Sequence, residues 1–74
     1  MFYNVMGMEF KKRLKDIRIE KGFTQMQLAA KLNVTDTTIR GWENRGSEPA
    51  YEMLCKIAEI FGVTVGQLLG TEEY

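Results

Sequence analysis

The chain has 74 residues, enough for one small domain, and 45% of them are apolar, so it can bury a compact core. The absence of histidine and the single cysteine argue against a metal site and against a disulfide framework. Ten basic and ten acidic residues give a formal net charge of zero. No apolar stretch approaches the roughly 20 residues that a membrane-spanning helix needs, and the N-terminal residues lack the basic start of a secretory signal. We therefore expect a cytoplasmic protein.

The spacing of apolar residues predicts an all-α chain with five helices and shows no strand pattern. The helical domain is predicted to span residues 8–70, between an N-terminal arm at 1–7 and a C-terminal tail at 71–74. The arm lacks helical spacing, so we expect it to be flexible; a docking segment is the alternative.

The first helix is predicted from Met8 to Lys21, where Gly22 ends it. Its inner face consists of Phe10, Leu14 and Ile17. Most of the basic side chains lie in this part of the chain: residues 1–45 hold nine Lys and Arg against five acids, and residues 46–74 hold one Lys against five Glu. The electric field of such an uneven charge distribution can orient a protein toward phosphates even at zero net charge. The alternative is that the basic residues of the first helix form an ordinary solvated helical face with no role in binding.

Three later helices share one start signal, an apolar residue, then Thr, then a second apolar residue four positions after that Thr. The Thr hydroxyl is the expected N-cap, and the flanking apolar pair forms a hydrophobic staple. At the first of these starts, Gln27 completes a capping box. The three threonines are Thr24, Thr35 and Thr64.

Two of these helices meet at a short turn within residues 25–44, from Asn33 to Thr35. Asn33 stands where the backbone needs a left-handed residue, which Gly or Asn tolerates best. Ala29 is small where the two helices must approach. The apolar residues expected between the crossed helices are Leu28, Leu32, Val34, Ile39 and Trp42. This is the helix-turn-helix plan, whose second helix enters the DNA major groove.

The fourth helix is predicted to begin at about Pro49 or Ala50, because proline suits a first turn, and to end at Phe61 before Gly62. Its inner face consists of Leu54, Ile57, Ala58 and Phe61. A short fifth helix is predicted over Val65–Leu69.

Residues that occur at the same spacing in one known protein family are found through most of the chain. They are Arg18, Lys21–Gln25, Leu28, Ala29, Val34, Ile39, Trp42, Glu43, Pro49, Leu54, Ile57, Ala58 and Val63. On these residues the chain resembles the phage Cro and repressor type (XRE-like) of helix-turn-helix transcriptional regulator. The resemblance implies a compact five-helix fold and sequence-specific binding of double-stranded DNA, usually as a homodimer on a palindromic operator, with repression as the expected outcome. It also implies a structural ion pair between Arg18 and Glu43.

The candidate groove-facing residues lie on the side of the third helix that points away from Ile39 and Trp42. They are Thr35, Asp36, Thr37, Thr38, Arg40, Gly41 and Asn44. Thr37 can bond a base or contact a thymine methyl, and Arg40 can contact a guanine or a phosphate. Asp36 either accepts from a cytosine amino group or only stabilises the helix N-terminus. Gly41 weakens a helix interior, which predicts a close backbone approach to DNA or protein unless the glycine arose by drift.

Phosphate contacts are expected on both sides of this helix. Gln25 lies at the start of the second helix, where the positive helix terminus favours phosphate. Asn44, Arg45 and Ser47 lie in or beside the loop after the third helix, where the resemblance implies backbone contacts. The alternative for Gln25 is that water solvates it in the first helical turn. The alternative for Asn44, Arg45 and Ser47 is that they are ordinary polar loop residues.

We expect no enzymatic activity and no cofactor, because the chain lacks histidine, paired carboxylates in an evident cleft and a phosphate-binding glycine loop. The rival interpretation is a protein-interaction or antitoxin-like module with weak or no independent DNA binding. A dimer contact is expected in the acidic C-terminal half, with Ile60 and Val65 as candidates.

Overall fold

The computed structural model describes residues 10–72 and contains five α-helices: α1 Lys11–Glu20, α2 Gln25–Leu32, α3 Asp36–Arg40, α4 Tyr51–Phe61 and α5 Val65–Leu69. α3 continues directly into a single π turn, Gly41–Arg45. No strand occurs in this part of the chain, so the all-α prediction is confirmed there. The arm at 1–7, the first residues of the predicted first helix and the end of the tail lie outside the described residues. None of the five helices is long and apolar enough to cross a membrane.

The three threonine N-caps are present, at Thr24, Thr35 and Thr64. Thr24 accepts a hydrogen bond from the Gln27 backbone N–H, and the Gln27 side chain accepts one from the Thr24 N–H, which completes the predicted capping box. The same Thr-x-x-Gln spacing produces a second capping box between Thr64 and Gln67 that the apolar pattern alone does not predict. Local sequence therefore determines where α2, α3 and α5 begin.

Asn33 ends α2 in the left-handed conformation, with φ 61° and ψ 44°. It is the only residue other than glycine with positive φ between residues 10 and 72. The backbone N–H of Val34 then donates to the Ala29 carbonyl at 3.0 Å, which closes the end of the helix. The chain thus turns from α2 into α3 over three residues, as predicted.

One core lies between the helices and contains buried apolar residues from all five. They are Phe10, Leu14, Ile17, Leu28, Ala29, Leu32, Ile39, Trp42, Leu54, Ile57, Ala58, Phe61 and Leu68. The predicted inner faces of the first and fourth helices are therefore confirmed. Val34 is only half-buried, but it packs against this core. The Phe23 ring, which precedes α2, lies 5.8 Å from the Phe61 ring of α4, centroid to centroid.

A side chain of α1 caps the end of α5. Arg13 donates from Nε to the Gln67 carbonyl at 2.9 Å and also donates to it from Nη2. The last carbonyls of a helix have no i+4 partner within the helix. The Gln67 carbonyl accepts from the Gly70 N–H at 3.3 Å, and Arg13 adds a second partner from a distant part of the chain.

α4 begins later than predicted. Ala50 is its N-cap and has extended backbone, with ψ 163°, so the first helical residue is Tyr51. Pro49 is buried and precedes the cap. The prediction that Pro49 lies in the first turn is wrong, because the extended conformation of Ala50 separates the proline from the helix.

Candidate nucleic-acid interface

A buried ion pair joins α1 to the π turn. Arg18 donates from Nε to Glu43 Oε2 at 2.6 Å and from Nη2 to Oε1 at 3.0 Å, so both carboxylate oxygens are engaged. The two side chains are 9% and 1% exposed. Arg18 Nη1 also donates to the Phe23 carbonyl at 2.8 Å. The pair implied by the resemblance is present, and it fixes the π turn relative to α1 and to the start of α2.

Gln25, the first residue of α2, is attached to this pair. Its Nε2 atom donates to Glu43 Oε1 at 3.1 Å. A glutamine amide carries two N–H donors and a carbonyl acceptor, so this bond leaves a second N–H for another partner. A phosphate contact by Gln25 would therefore come from a side chain that Glu43 already orients.

α3 buries Ile39 and leaves a polar edge outside. Thr35, Thr37 and Arg40 are exposed, and Thr38 is half-buried. The hydroxyls of Thr35 and Thr38 share a hydrogen bond at 3.1 Å, and Thr35 also accepts from the Thr38 backbone N–H. These two threonines are engaged in capping the helix, so Thr37 and Arg40 are the more available side chains on this edge.

Asp36, Thr37 and Arg40 form a connected group on the exposed edge. Arg40 donates from Nη1 to Asp36 Oδ2 at 2.6 Å and from Nη2 to Thr37 Oγ1 at 3.2 Å. The Arg40 and Asp36 side chains are 47% and 38% exposed. The hydrogen bond from Arg40 is the main cause that lowers the pKa of the Asp36 carboxyl below its ordinary value of 3.8. Asp36 is therefore ionised at neutral pH and compensates the charge of Arg40.

Beyond Arg40 the interface departs from a regular helix. Gly41 is buried, and its carbonyl accepts from the backbone N–H groups of Gly46 and Ser47. A Cβ atom on Gly41 would lie 3.0 Å from Arg45 Nη2 and 3.6 Å from Ser47 Oγ. The Cβ position of Gly41 therefore points toward Arg45 and Ser47, two of the candidate phosphate contacts. That Gly41 allows a close approach of DNA stays a prediction.

The end of the π turn and the loop after it carry several polar side chains. Asn44, Arg45 and Ser47 are all exposed. The side chains of Arg45 and Ser47 both lie next to the Cα of Gly41, on the side where a Cβ would be. Lys11 of α1 reaches this loop as well, since its Cδ atom lies 3.7 Å from the point where a Cβ atom would lie if Gly46 carried one. Lys11 is a further candidate for phosphate contact, which the sequence pattern does not indicate because its proximity to the loop depends on tertiary packing.

The candidate dimer residues are less exposed than expected. Ile60 and Val65 are half-buried and pack against the core, which leaves only part of each side chain for a partner. The large apolar side chains that are exposed in the described residues lie elsewhere, at Ile19, Met26 and Tyr51.

Comparisons with known proteins agree with this geometry. A family model described as a helix-turn-helix (HTH_3) matches residues 14–68. The chain is 42% identical over 66 residues to the HTH-type transcriptional activator BcrR of Enterococcus faecalis, an alignment that covers 89% of this chain and 32% of BcrR. It is 33% identical over 66 residues to the HTH-type transcriptional regulator ImmR of Bacillus subtilis (strain 168), covering 89% of this chain and 52% of ImmR.

A third relative is the cryptic phage CTXphi transcriptional repressor RstR of Vibrio cholerae, at 27% identity over 64 residues, covering 86% of this chain and 58% of RstR. The chain thus spans about a third to about three fifths of the length of these relatives. Among solved structures, CoII HppE in complex with substrate matches with a TM-score of 0.78 and 33% identity, over 85% of this chain and 35% of that one.

Proposed function

Because the chain belongs to the helix-turn-helix family whose model matches residues 14–68, we propose that it binds a specific double-stranded DNA site through α3 and regulates transcription there. The observation that carries this function is the arrangement of α3 itself. Its Ile39 is buried while Thr37 and Arg40 form an exposed polar edge after a tight turn from α2. Such an edge can reach the donor and acceptor groups of bases in the major groove.

The residues around α3 have the chemistry to hold the DNA backbone. Gln25 lies on one side, at the N-terminus of α2, and Arg45, Ser47 and Lys11 lie around the loop on the other. Contacts of this kind set the register of a protein on the duplex without selecting a sequence. We assign base contacts to Thr37 and Arg40, with Asn44 beside them.

The full interaction is inferred to involve two copies of the chain on a palindromic operator. A homodimer presents two recognition helices to half-sites that are one helical turn apart. The sign of regulation differs among the relatives, since BcrR is named an activator and RstR a repressor. Repression remains the expectation from the resemblance to phage repressors, and a regulator of this kind acts in the cytoplasm, where its operator DNA lies.

Selection of bound duplexes from a random pool tests this function. We expect a reproducible site, whose affinity falls steeply as salt rises because bound phosphates release counterions. A protein-interaction module without DNA binding would retain no duplex even at low salt, and that result would overturn the proposal.

Two substitutions then separate base contacts from phosphate contacts. Thr37→Ala should weaken the selected site by about 1–2 kcal/mol and relax the preference at one or two base pairs. Arg45→Ala should lower the affinity for all duplexes by similar factors and reduce the salt slope by about one per bound protomer. If Thr37→Ala left the sequence preference unchanged, α3 would not be the helix that contacts the bases.

A further inference from the structure

Asp36 is the acidic side chain on the exposed edge of α3. A carboxylate that faces DNA is repelled by the phosphates of both strands. Its position in the first turn is favourable for the helix dipole, but Thr35 already caps the helix by accepting from the Thr38 backbone N–H, so capping does not require the carboxylate. The bond to Arg40 suggests what else the carboxylate does.

Resting on the proposed DNA binding, we propose that Asp36 is a specificity-determining residue that acts through Arg40. It holds the guanidinium in place for a guanine edge and keeps it from serving as a general phosphate contact. Asp36 itself contacts no base. The DNA sequence is selected by the Asp36–Arg40 pair together with Thr37.

Charge compensation is the first reason. Arg40 Nη1 lies 2.6 Å from Asp36 Oδ2, so the two charges nearly cancel for a group several ångströms away. Attraction to a phosphate depends on net charge, and pairing weakens it. The N7 and O6 atoms of guanine are neutral acceptors that need correctly placed N–H donors. Pairing therefore reduces phosphate binding more than guanine binding.

The count of donors is the second reason. A guanidinium has five N–H groups, and the bonds to Asp36 and Thr37 each use one, from different Nη atoms. The remaining N–H groups include one on each Nη atom, enough for a two-bond contact with guanine. Because two partners already fix the plane of the group, less side-chain freedom is lost when DNA binds.

The third reason concerns DNA sequences other than the specific site. If Arg40 turned away to reach a phosphate, Asp36 would remain close to the DNA with no cation beside it. Binding modes in which Arg40 leaves the pair are disfavoured for that reason, and modes that keep the pair intact are favoured. Discrimination of this kind arises from penalties on incorrect partners as well as from contacts with the correct one.

The test begins with the duplex selected from the random pool and a scrambled duplex of equal length. Affinities are measured at several salt concentrations for the wild type and for Asp36→Asn, which keeps the shape of the side chain and removes its charge. We expect Asp36→Asn to bind the scrambled duplex severalfold more tightly at low salt, with a salt slope steeper by about one per protomer. We also expect it to lose about tenfold of the discrimination at one G·C pair.

Asp16→Asn is the matched control. Asp16 pairs with Lys12 at 3.0 Å, four residues apart on α1, just as Asp36 pairs with Arg40 on α3. The control therefore makes the same change in net charge and breaks the same kind of pair away from α3. If Asp36→Asn and Asp16→Asn altered binding to the two duplexes equally, a general charge effect would explain the data and the inference would be overturned.

A double-mutant cycle with Arg40→Ala shows whether Asp36 acts through Arg40. Asp36→Asn should leave the sequence preference unchanged once Arg40 is absent. A preference that changes equally in both backgrounds would mean that the carboxylate contacts a base directly, for example a cytosine amino group, and would overturn the inference. Circular dichroism of each variant separates loss of the helix from loss of discrimination. Failure of the wild type to select any duplex would instead overturn the proposed function itself.

Discussion

At the scale of single residues, the buried Arg18–Glu43 pair supports the proposed interface from beneath, because Glu43 accepts from Gln25. Its two bonds, with those to the Phe23 carbonyl and from Gln25, connect α1 to the start of α2 and to the π turn. A buried pair of this kind adds little net stability compared with apolar residues of similar size. Breaking it is damaging, however, because the remaining charge stays buried without a partner.

We therefore expect Glu43→Ala to lower the free energy of unfolding by about 3 kcal/mol, since Arg18 would lose both carboxylate bonds. Urea denaturation measures the change. Asp16→Ala, which breaks a pair whose side chains are 75% and 59% exposed, is the control and should change stability by less than about 0.5 kcal/mol. Equal effects of the two substitutions would show that burial does not govern the strength of these pairs.

A second residue-scale prediction concerns pH. The pKa of Asp36 is lowered by the bond from Arg40, so the Asp36 carboxylate should titrate below 3.8 in the folded protein. A lowered folded-state pKa means that the pair stabilises the fold above the ordinary pKa and that this contribution is lost as pH falls through the folded-state value. NMR titration of the Asp36 carboxyl carbon tests this. In Arg40→Ala the midpoint should rise toward 3.8, and an unchanged midpoint would contradict the assigned cause.

At the scale of elements, the starts and ends that depend on neighbouring residues follow from the sequence. The threonine N-caps and the left-handed Asn33 are examples, because each makes its bonds within a few positions of the chain. The Asp36–Arg40 pair is also local, four residues apart, and could have been predicted from helical spacing alone.

Features that depend on tertiary contacts could not be predicted in this way. The π turn at Gly41–Arg45 adds a residue to one helical turn, and its Glu43 is held by Arg18 from α1. Burial of Pro49 before the cap of α4 and the position of Lys11 beside the loop depend likewise on packing. Since helical periodicity assumes a regular helix, it does not predict the π turn that begins at Gly41.

Gly41 supplies the element-scale prediction. Its backbone is helical, with φ −61° and ψ −43°, so Gly41→Ala should raise the free energy of unfolding by about 0.5–1 kcal/mol. The added Cβ would displace the flexible end of Arg45, and affinity should fall for matched and scrambled duplexes alike. Urea denaturation and DNA titration measure the two effects. Gly66→Ala, which displaces Glu72 beside α5, is the control and should leave DNA affinity unchanged; a loss there would point to a global effect.

At the scale of the whole molecule, charge is divided along the chain. The basic residues are concentrated in residues 1–45, which include α1 to α3 and the proposed interface, and the acidic excess lies in residues 46–74. This division favours an approach to DNA with the acidic part pointing away from the phosphates. A contact between two copies in the acidic part would leave both interfaces free.

We accordingly expect cooperative binding to paired half-sites whose centres lie about 34 Å apart. Duplexes that carry one half-site, or two at a spacing shifted by about half a helical turn, serve as controls. Sedimentation of the protein on each duplex gives the stoichiometry and the affinity. Independent filling of single half-sites, with no advantage for the paired duplex, would contradict a dimer on DNA.

The contact between Arg13 and the Gln67 carbonyl has a consequence for the order of folding. Its partners are 54 residues apart, whereas the caps and turns of the helix-turn-helix unit form between close neighbours. Closing so long a loop is entropically unfavourable until most of the chain is ordered. Arg13→Ala should therefore accelerate unfolding and leave the folding rate nearly unchanged in stopped-flow experiments. If folding slowed by the same factor, the docking of α5 onto α1 would already be part of the transition state.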